Sequence, residues 1–297
     1  MLLMRIGVID VGGNTIRLLV AAQDGSSLVT VHGDRAQLGL GEEIAVYGRI
    51  PPEKIVAAGA AVEAQATAAR RLGARRVEVV VTSPGRQAAN SGELVAVLER
   101  ASLSDVRVLT AEDEARFAYE GAIAATSGLP ESVAVCDVGG GSMQTVVGTT
   151  ATGPVWARSF ALGSLRLTRL FDGEDPPAQA SLARIRAAVR RDLSDLVCPL
   201  PQHALATGGT ARALRKLVGS SLGPDELRDA LALLSRTPAR QLVKQYGLSR
   251  ARARTVTAGA IVFDEVQQRF AVPLQVANDG LREGIALSLF ASLSAAA

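Results

Sequence analysis

Two aspartates in this 297-residue chain sit where a cation could be held beside a phosphate. Asp10 closes the apolar run Ile6, Gly7, Val8, Ile9 and leads into Val11, Gly12, Gly13, Asn14 and Thr15. Asp137 closes Val133, Ala134, Val135, Cys136 and leads into Val138, Gly139, Gly140, Gly141 and Ser142. A carboxylate at the end of a buried strand can hold a cation, while the N–H groups of the following glycine turn and a hydroxyl wrap a phosphate. Either turn alone also reads as the plain closure of a hairpin. A third glycine turn, Gly208, Gly209, Thr210, follows a short apolar run and opens a helical stretch. It reads either as an anion site at a helix N-terminus or as a simple cap.

The elements that must position these turns follow from laying residues 6–20 over residues 133–147, which match in type and order. Each copy is strand, glycine turn, strand, with residues 16–22 and 146–148 returning as hairpin partners. A duplication of this kind predicts two related domains. Between the copies the pattern predicts a helix over 52–72, a strand over 77–81, a helix after Asn90, a strand over 106–109 and a helix over 112–125. Strands alternating with helices imply a mainly parallel or mixed sheet covered by helices. The second half is richer in helix, over 181–197, 211–218, 225–234, 238–245, 249–270 and 281–293. Ser, Gly, Pro and Glu interrupt the pattern between 126 and 132, which sets the domains at 1–126 and 127–297, with the last helix, 281–293, packing back on the first.

Composition narrows the classes. Hydrophobic residues are 48% and charged residues 21%, with no biased tract, so the chain is expected to fold throughout. The N-terminal residues lack the features of a signal peptide, and no run reaches membrane-spanning length. Cys136 and Cys198 lie far apart and give no disulfide framework, which fits a reducing, cytoplasmic compartment. Aromatics at 3% leave little to stack bases on, against a single-stranded nucleic-acid module. Arginines cluster at 70, 71, 75, 76 and at 184, 186, 190, 191, as solvated helix surface or as a track for a polyanion. His32 and His203 are the only histidines, too few for a multi-histidine metal centre, and no GxxxxGK[ST] loop occurs.

The same residues resemble the superfamily of actin, sugar kinases and Hsp70 chaperones, and more closely its exopolyphosphatase and pppGpp phosphohydrolase (Ppx/GppA) branch. The resemblance runs along nearly the whole chain and in order: IDVGGNTIRLLV from 9, TSPGRQAAN at 82–90, AEDEARFAYEGA at 111–122, DVGGGS at 137–142, LGSLRLT at 162–168, GGT at 208–210, AGAIVF at 258–263 and DGLREGIAL at 279–287. It implies an α/β fold of two duplicated ribonuclease H-like (actin-like ATPase) domains with a phosphate-binding cleft between them. The implied chemistry is attack of water on the terminal phosphate of a phosphoanhydride chain with Mg²⁺, or Mn²⁺ as the alternative, and no covalent enzyme intermediate.

Carried over by motif, Glu114 is the base for that water, although Glu112, Asp113 and Glu114 also read as first-turn acids of a helix. Asp10, Asp137 and Gln144 would hold the metal. Asn14, Thr15, Gly139, Gly140, Gly141, Ser142, Gly163, Ser164, Gly208, Gly209 and Thr210 would bind substrate phosphate. Arg86 would spread charge over phosphate oxygens, unless it is a surface arginine. Two departures stand out: Gln144 replaces the family's usual glutamate, removing a negative charge, and Gln37 replaces the arginine that usually opens the loop reading QLGLG here. The expected partners are inorganic polyphosphate or pppGpp, with no nucleic acid and no membrane, and a homodimer is expected from the resemblance. Short polyphosphate chains are the expected preference, because the sequence ends at Ala297 without further helical domains. A polyphosphate- or alarmone-binding module with weakened catalysis is the alternative from another class.

Overall fold

The computed structural model describes residues 3–25, 27–171, 173–194 and 196–295. The chain divides into two compact units, one of Met1–Ala124 with Leu281–Ala297 and the other of Ala125–Gly280.

The first unit begins with a three-stranded meander, β1 (Arg5–Val11), β2 (Thr15–Asp24) and β3 (Ser27–Gln37). Helices α1 (Leu40–Tyr47) and α2 (Pro52–Arg71) lead to β4 (Ala74–Val81). They are followed by α3 (Ser83–Gln87), α4 (Ser91–Ser102), β5 (Val106–Val108) and α5 (Ala111–Ala124). The sheet order is β3-β2-β1-β4-β5, with β1 antiparallel to β2 and parallel to β4. Alternation along β1 sends Ile9 and Val11 to one face, against Ile55, Val62 and Leu94 of α2 and α4. It sends Ile6 and Val8 to the other face, where Phe117 of α5 meets Ile285 and Phe290 of the C-terminal helix Leu281–Ala295. That helix approaches α5 so closely that a side chain at Gly284 would place its Cβ 1.9 Å from the Phe117 carbonyl oxygen.

The second unit repeats the plan. Its meander is β6 (Ser132–Val138), β7 (Met143–Thr149) and β8 (Gly153–Phe160). It continues through α6 (Ser164–Thr168), α7 (Gln179–Asp192), β9 (His203–Thr207), α8 (Gly208–Val218), β10 (Ser221–Leu222), α9 (Pro224–Leu234), α10 (Ala239–Tyr246), α11 (Arg250–Phe270) and β11 (Leu274–Val276). The helix Leu281–Ala295 is α12. The sheet order β10-β11-β9-β6-β7-β8 again places the meander on one side of the first strand and parallel strands, β9 and β11, on the other, with β10 antiparallel at the edge. The register repeats as well: Asp10 lies opposite Arg17, and Asp137 lies opposite Gln144. The molecule is therefore α/β with two sheets of related topology.

The fold departs from the sequence reading in detail. α7 ends at Asp192 rather than 197, because the amides of Ser194 and Leu196 bond back three residues in successive tight turns. Several basic residues are engaged within the fold. Arg186 and Arg190 bond Glu265, Arg186 also reaches Asp264, and Arg70 donates to the Ser102 carbonyl. The polyanion-track reading therefore loses Arg186 and Arg190, while Arg76 pairs with Glu78. Both cysteines are free, and no described helix is long and apolar enough to cross a membrane.

Glu265 is almost fully buried. Burial pushes its carboxyl up, but the guanidinium groups of Arg190 and Arg186 outweigh that and hold it below the ordinary value. A carboxyl held low is stabilising above the ordinary pKa of about 4.3, and that stabilisation drains away as pH falls through the lower folded value. Glu265→Gln should cost on the order of 2 kcal/mol at pH 7, Arg190 being partly in water. Urea titrations across pH should show the gap to wild type narrowing below about pH 4; a gap independent of pH would contradict the ion-pair account.

Candidate phosphate site

In the first unit, β1 delivers Asp10 and the chain reverses through Gly12, Gly13 and Asn14, with the Gly12 amide bonded to the Thr15 carbonyl (3.0 Å). The QLGLG segment straps this turn through its backbone. The Leu38 and Gly39 amides donate to the Asn14 carbonyl (3.2 and 3.1 Å), and the Gly41 amide donates to the Gly13 carbonyl (2.6 Å). This work needs no side chain at Gln37. Arg17, opposite Asp10, donates from Nε to Thr15 Oγ1 (3.1 Å) and so orients a hydroxyl of the turn.

Glu114 and Arg86 meet in the same unit. The Thr110 hydroxyl accepts the Asp113 amide (3.0 Å) and caps α5, placing three acids in its first turn. Glu112 is exposed and Asp113 pairs with Arg116, whereas Glu114 is only 8% exposed and receives Arg86 Nη2 at 2.6 Å. Burial with a salt-bridge partner separates Glu114 from ordinary first-turn acids. Arg86, expected on phosphate, is turned to this carboxylate and to the Leu109 carbonyl (2.7 Å).

In the second unit, the Gly139 amide closes on the Ser142 carbonyl (3.0 Å), reproducing the first turn. α6 docks onto this turn: the Ser164 amide and hydroxyl both reach the Gly139 carbonyl (2.9 and 3.1 Å), and the Leu165 and Arg166 amides reach Gly140 (3.0 and 3.1 Å). Those α6 amides fix the glycine turn. Gln144, 1% exposed, donates from its amide nitrogen to Ser142 Oγ (2.8 Å) and holds that hydroxyl. The third turn lies against Asp137. Gly208 is left-handed (φ 85°), and a Cβ there would fall 2.3 Å from Asp137 Oδ1, so glycine is required by both conformation and space. Thr210 is fully buried and donates to the Val138 carbonyl (3.3 Å). The structure thus gathers Asp137, Gly139 to Ser142, Gln144, Gly163, Ser164 and Gly208 to Thr210 within one unit.

One participant escaped the sequence reading. Arg252 of α11 donates from Nη1 to Thr210 Oγ1 (2.9 Å) and lies 3.5 Å from Ser164 Oγ, placing a guanidinium between two of the expected phosphate-binding hydroxyls. A signal was present: Arg252, Thr255 and Gly259 share one helix face at spacings of three and seven. Gly259 packs so tightly on Thr210 that a Cβ would come within 2.3 Å of its methyl carbon. Cys136, beside Asp137, is no candidate nucleophile, because burial pushes its thiol well above the ordinary range. Among the described residues no three His, Cys, Asp or Glu side chains converge as a ready metal cage.

The chain matches the family model described as the Ppx/GppA phosphatase family over residues 19–293. It is 29% identical over 302 residues to exopolyphosphatase 1 of Mycobacterium tuberculosis, covering 96% of this chain and 88% of that protein. It is 30% identical over 322 residues to exopolyphosphatase 2 of the same organism, covering 97% and 99%. The crystal structure of the Aquifex aeolicus member of the Ppx/GppA family superposes with a TM-score of 0.84 at 25% identity, covering 98% of this chain and 99% of that one. With the repeated Asp-glycine turns, the GGT turn at a helix start and this match along most of its length, the chain belongs to the Ppx/GppA phosphatase family.

Proposed function

We propose that the protein is an exopolyphosphatase, a phosphoanhydride hydrolase that cleaves the terminal phosphate of inorganic polyphosphate with water and releases orthophosphate. The observation that carries this reading is the second unit's cradle, in which Asp137, a glycine turn, the N-terminus of α8 and Arg252 meet, in a member of a phosphatase family. The amides of the glycine turn, the start of α8, Ser142 Oγ and Arg252 offer donors for phosphate oxygens, and Asn14 and Thr15 offer the corresponding groups of the first unit. Glu114 is the proposed base, positioning and deprotonating the attacking water.

The donors available fit a hard divalent cation. Mg²⁺ is commonly held by one or two carboxylates plus substrate phosphate and water, and needs no full protein cage. In the second unit Asp137 would hold it, with Gln144 contributing at most a neutral oxygen, and Asp10 is the corresponding carboxylate of the first unit. Such an ion supplies charge neutralisation on the phosphate oxygens and a more acidic water.

The test is orthophosphate release from tripolyphosphate, long-chain polyphosphate and pppGpp, each with Mg²⁺, Mn²⁺ or excess chelator. The proposal expects polyphosphate to be the better substrate by kcat/KM and chelator to abolish release. A preference for pppGpp would assign the alarmone hydrolase reading. Tight binding without release from any of them would assign a binding module.

A further inference from the structure

Arg86 has the charge and planar fork of a phosphate ligand, yet both ends of its guanidinium are engaged within its own unit. Nη1 donates to the Leu109 carbonyl (2.7 Å) and Nη2 to Glu114 Oε2 (2.6 Å). The two acceptors bracket the first turn of α5: Leu109 immediately precedes the capping Thr110, and Glu114 completes the turn, its amide bonded to the Thr110 carbonyl (3.0 Å). Arg86 itself is held firmly. It sits on α3, which starts where β4 ends, with the Thr82 amide bonded to the Val11 carbonyl (3.2 Å). Gly85 lets α3 lie directly on β5, since a Cβ there would come 2.8 Å from a Val108 methyl. The fork therefore runs from the end of the central strands to the Glu114 carboxylate.

We infer that Arg86 is a positioning residue that fixes the Glu114 carboxylate, rather than a direct ligand of substrate phosphate. The Arg86 contact restricts how the Glu114 carboxylate can turn, and a base needs a fixed orientation that a freely rotating side chain lacks. Lysine carries the charge but not the fork, and cannot span both acceptors in this way. The inference rests on Glu114 being the base.

The test is a double-mutant cycle of Arg86→Gln and Glu114→Gln, with tripolyphosphate as substrate, joined by calorimetric binding of tripolyphosphate to each variant. Arg86→Gln should lower kcat about 10²-fold, as expected for a misplaced catalytic group, with KM and Kd within about twofold of wild type because no phosphate contact is lost. The double variant should turn over no more slowly than Glu114→Gln alone. Arg86→Lys, which retains charge and one contact, should recover part of kcat, and thermal unfolding of all variants excludes global misfolding. A raised Kd for Arg86→Gln, or a further loss in the Glu114→Gln background, would overturn the inference while leaving the base in place. Wild-type turnover by Glu114→Gln would instead remove the base and the inference with it.

Discussion

Glu114→Gln is expected to reduce orthophosphate release about 10²- to 10⁴-fold, the range associated with loss of a general base. The substitution keeps the size of the side chain and one oxygen for Arg86, so it removes the proposed proton acceptor with little change in shape. Its stability cost should be modest, about 1–2 kcal/mol, because Arg86 loses a charged partner in a partly buried place. Glu112→Gln and Asp113→Asn supply the comparison: Glu112 is exposed and Asp113 faces Arg116, so each should retain turnover within about twofold. Steady-state kcat for the three variants separates catalysis from helix-terminus electrostatics, since all three remove one negative charge from the same first turn. Equal losses in all three would show that the charge of the turn, and not a base, is what matters.

The second large effect belongs to Gly163→Ala. Gly163 has φ −71°, a conformation open to any residue, so its requirement is space. An alanine Cβ would fall 2.1 Å from the Gly140 carbonyl oxygen and 2.3 Å from the carbonyl carbons of Gly140 and Gly141. All three are backbone atoms and none can swing aside. Either α6 retreats and loses its amide bonds to Gly139 and Gly140, or the glycine turn moves. The expected outcome is a loss of about 3 kcal/mol together with a fall in kcat of about 10²-fold. Gly92→Ala in α4, where nothing lies within 4 Å, should leave kcat unchanged and stability equal or slightly higher. Thermal unfolding and turnover measured on both decide it: near-wild-type values for Gly163→Ala would mean that the docking of α6 does not fix the turn.

The duplicated core was legible because both copies end a buried strand in aspartate and reverse through glycine, a pattern that survives without knowledge of neighbours. Strands β3 and β8 were not, since most of their side chains face solvent and carry no apolar period: Ser27 to Gln37 contains no buried residue, and Gly153 to Phe160 only one. The gathering of Asp137 with Gly208 follows from parallel pairing of β6 and β9, which places Thr207 beside Asp137 across a long interval of sequence. Composition and motif gave the members of that group but not their contacts. Arg252 was hidden among Arg250 and Arg254, which share its charge but not its helix face. The engagement of Arg86 with Glu114 was equally invisible, because both residues looked outward to substrate when considered one at a time. The strap formed by Gln37 to Gly41 works through backbone amides, which sequence motifs record only through the glycines.

The proposed hydrolysis requires water to attack the terminal phosphorus. Turnover of tripolyphosphate in H₂¹⁸O, with the orthophosphate analysed by mass, tests it most directly. One ¹⁸O atom is expected in each released orthophosphate and none in the remaining pyrophosphate. Unlabelled orthophosphate with label in the pyrophosphate would place attack on the inner phosphorus, and would contradict the account.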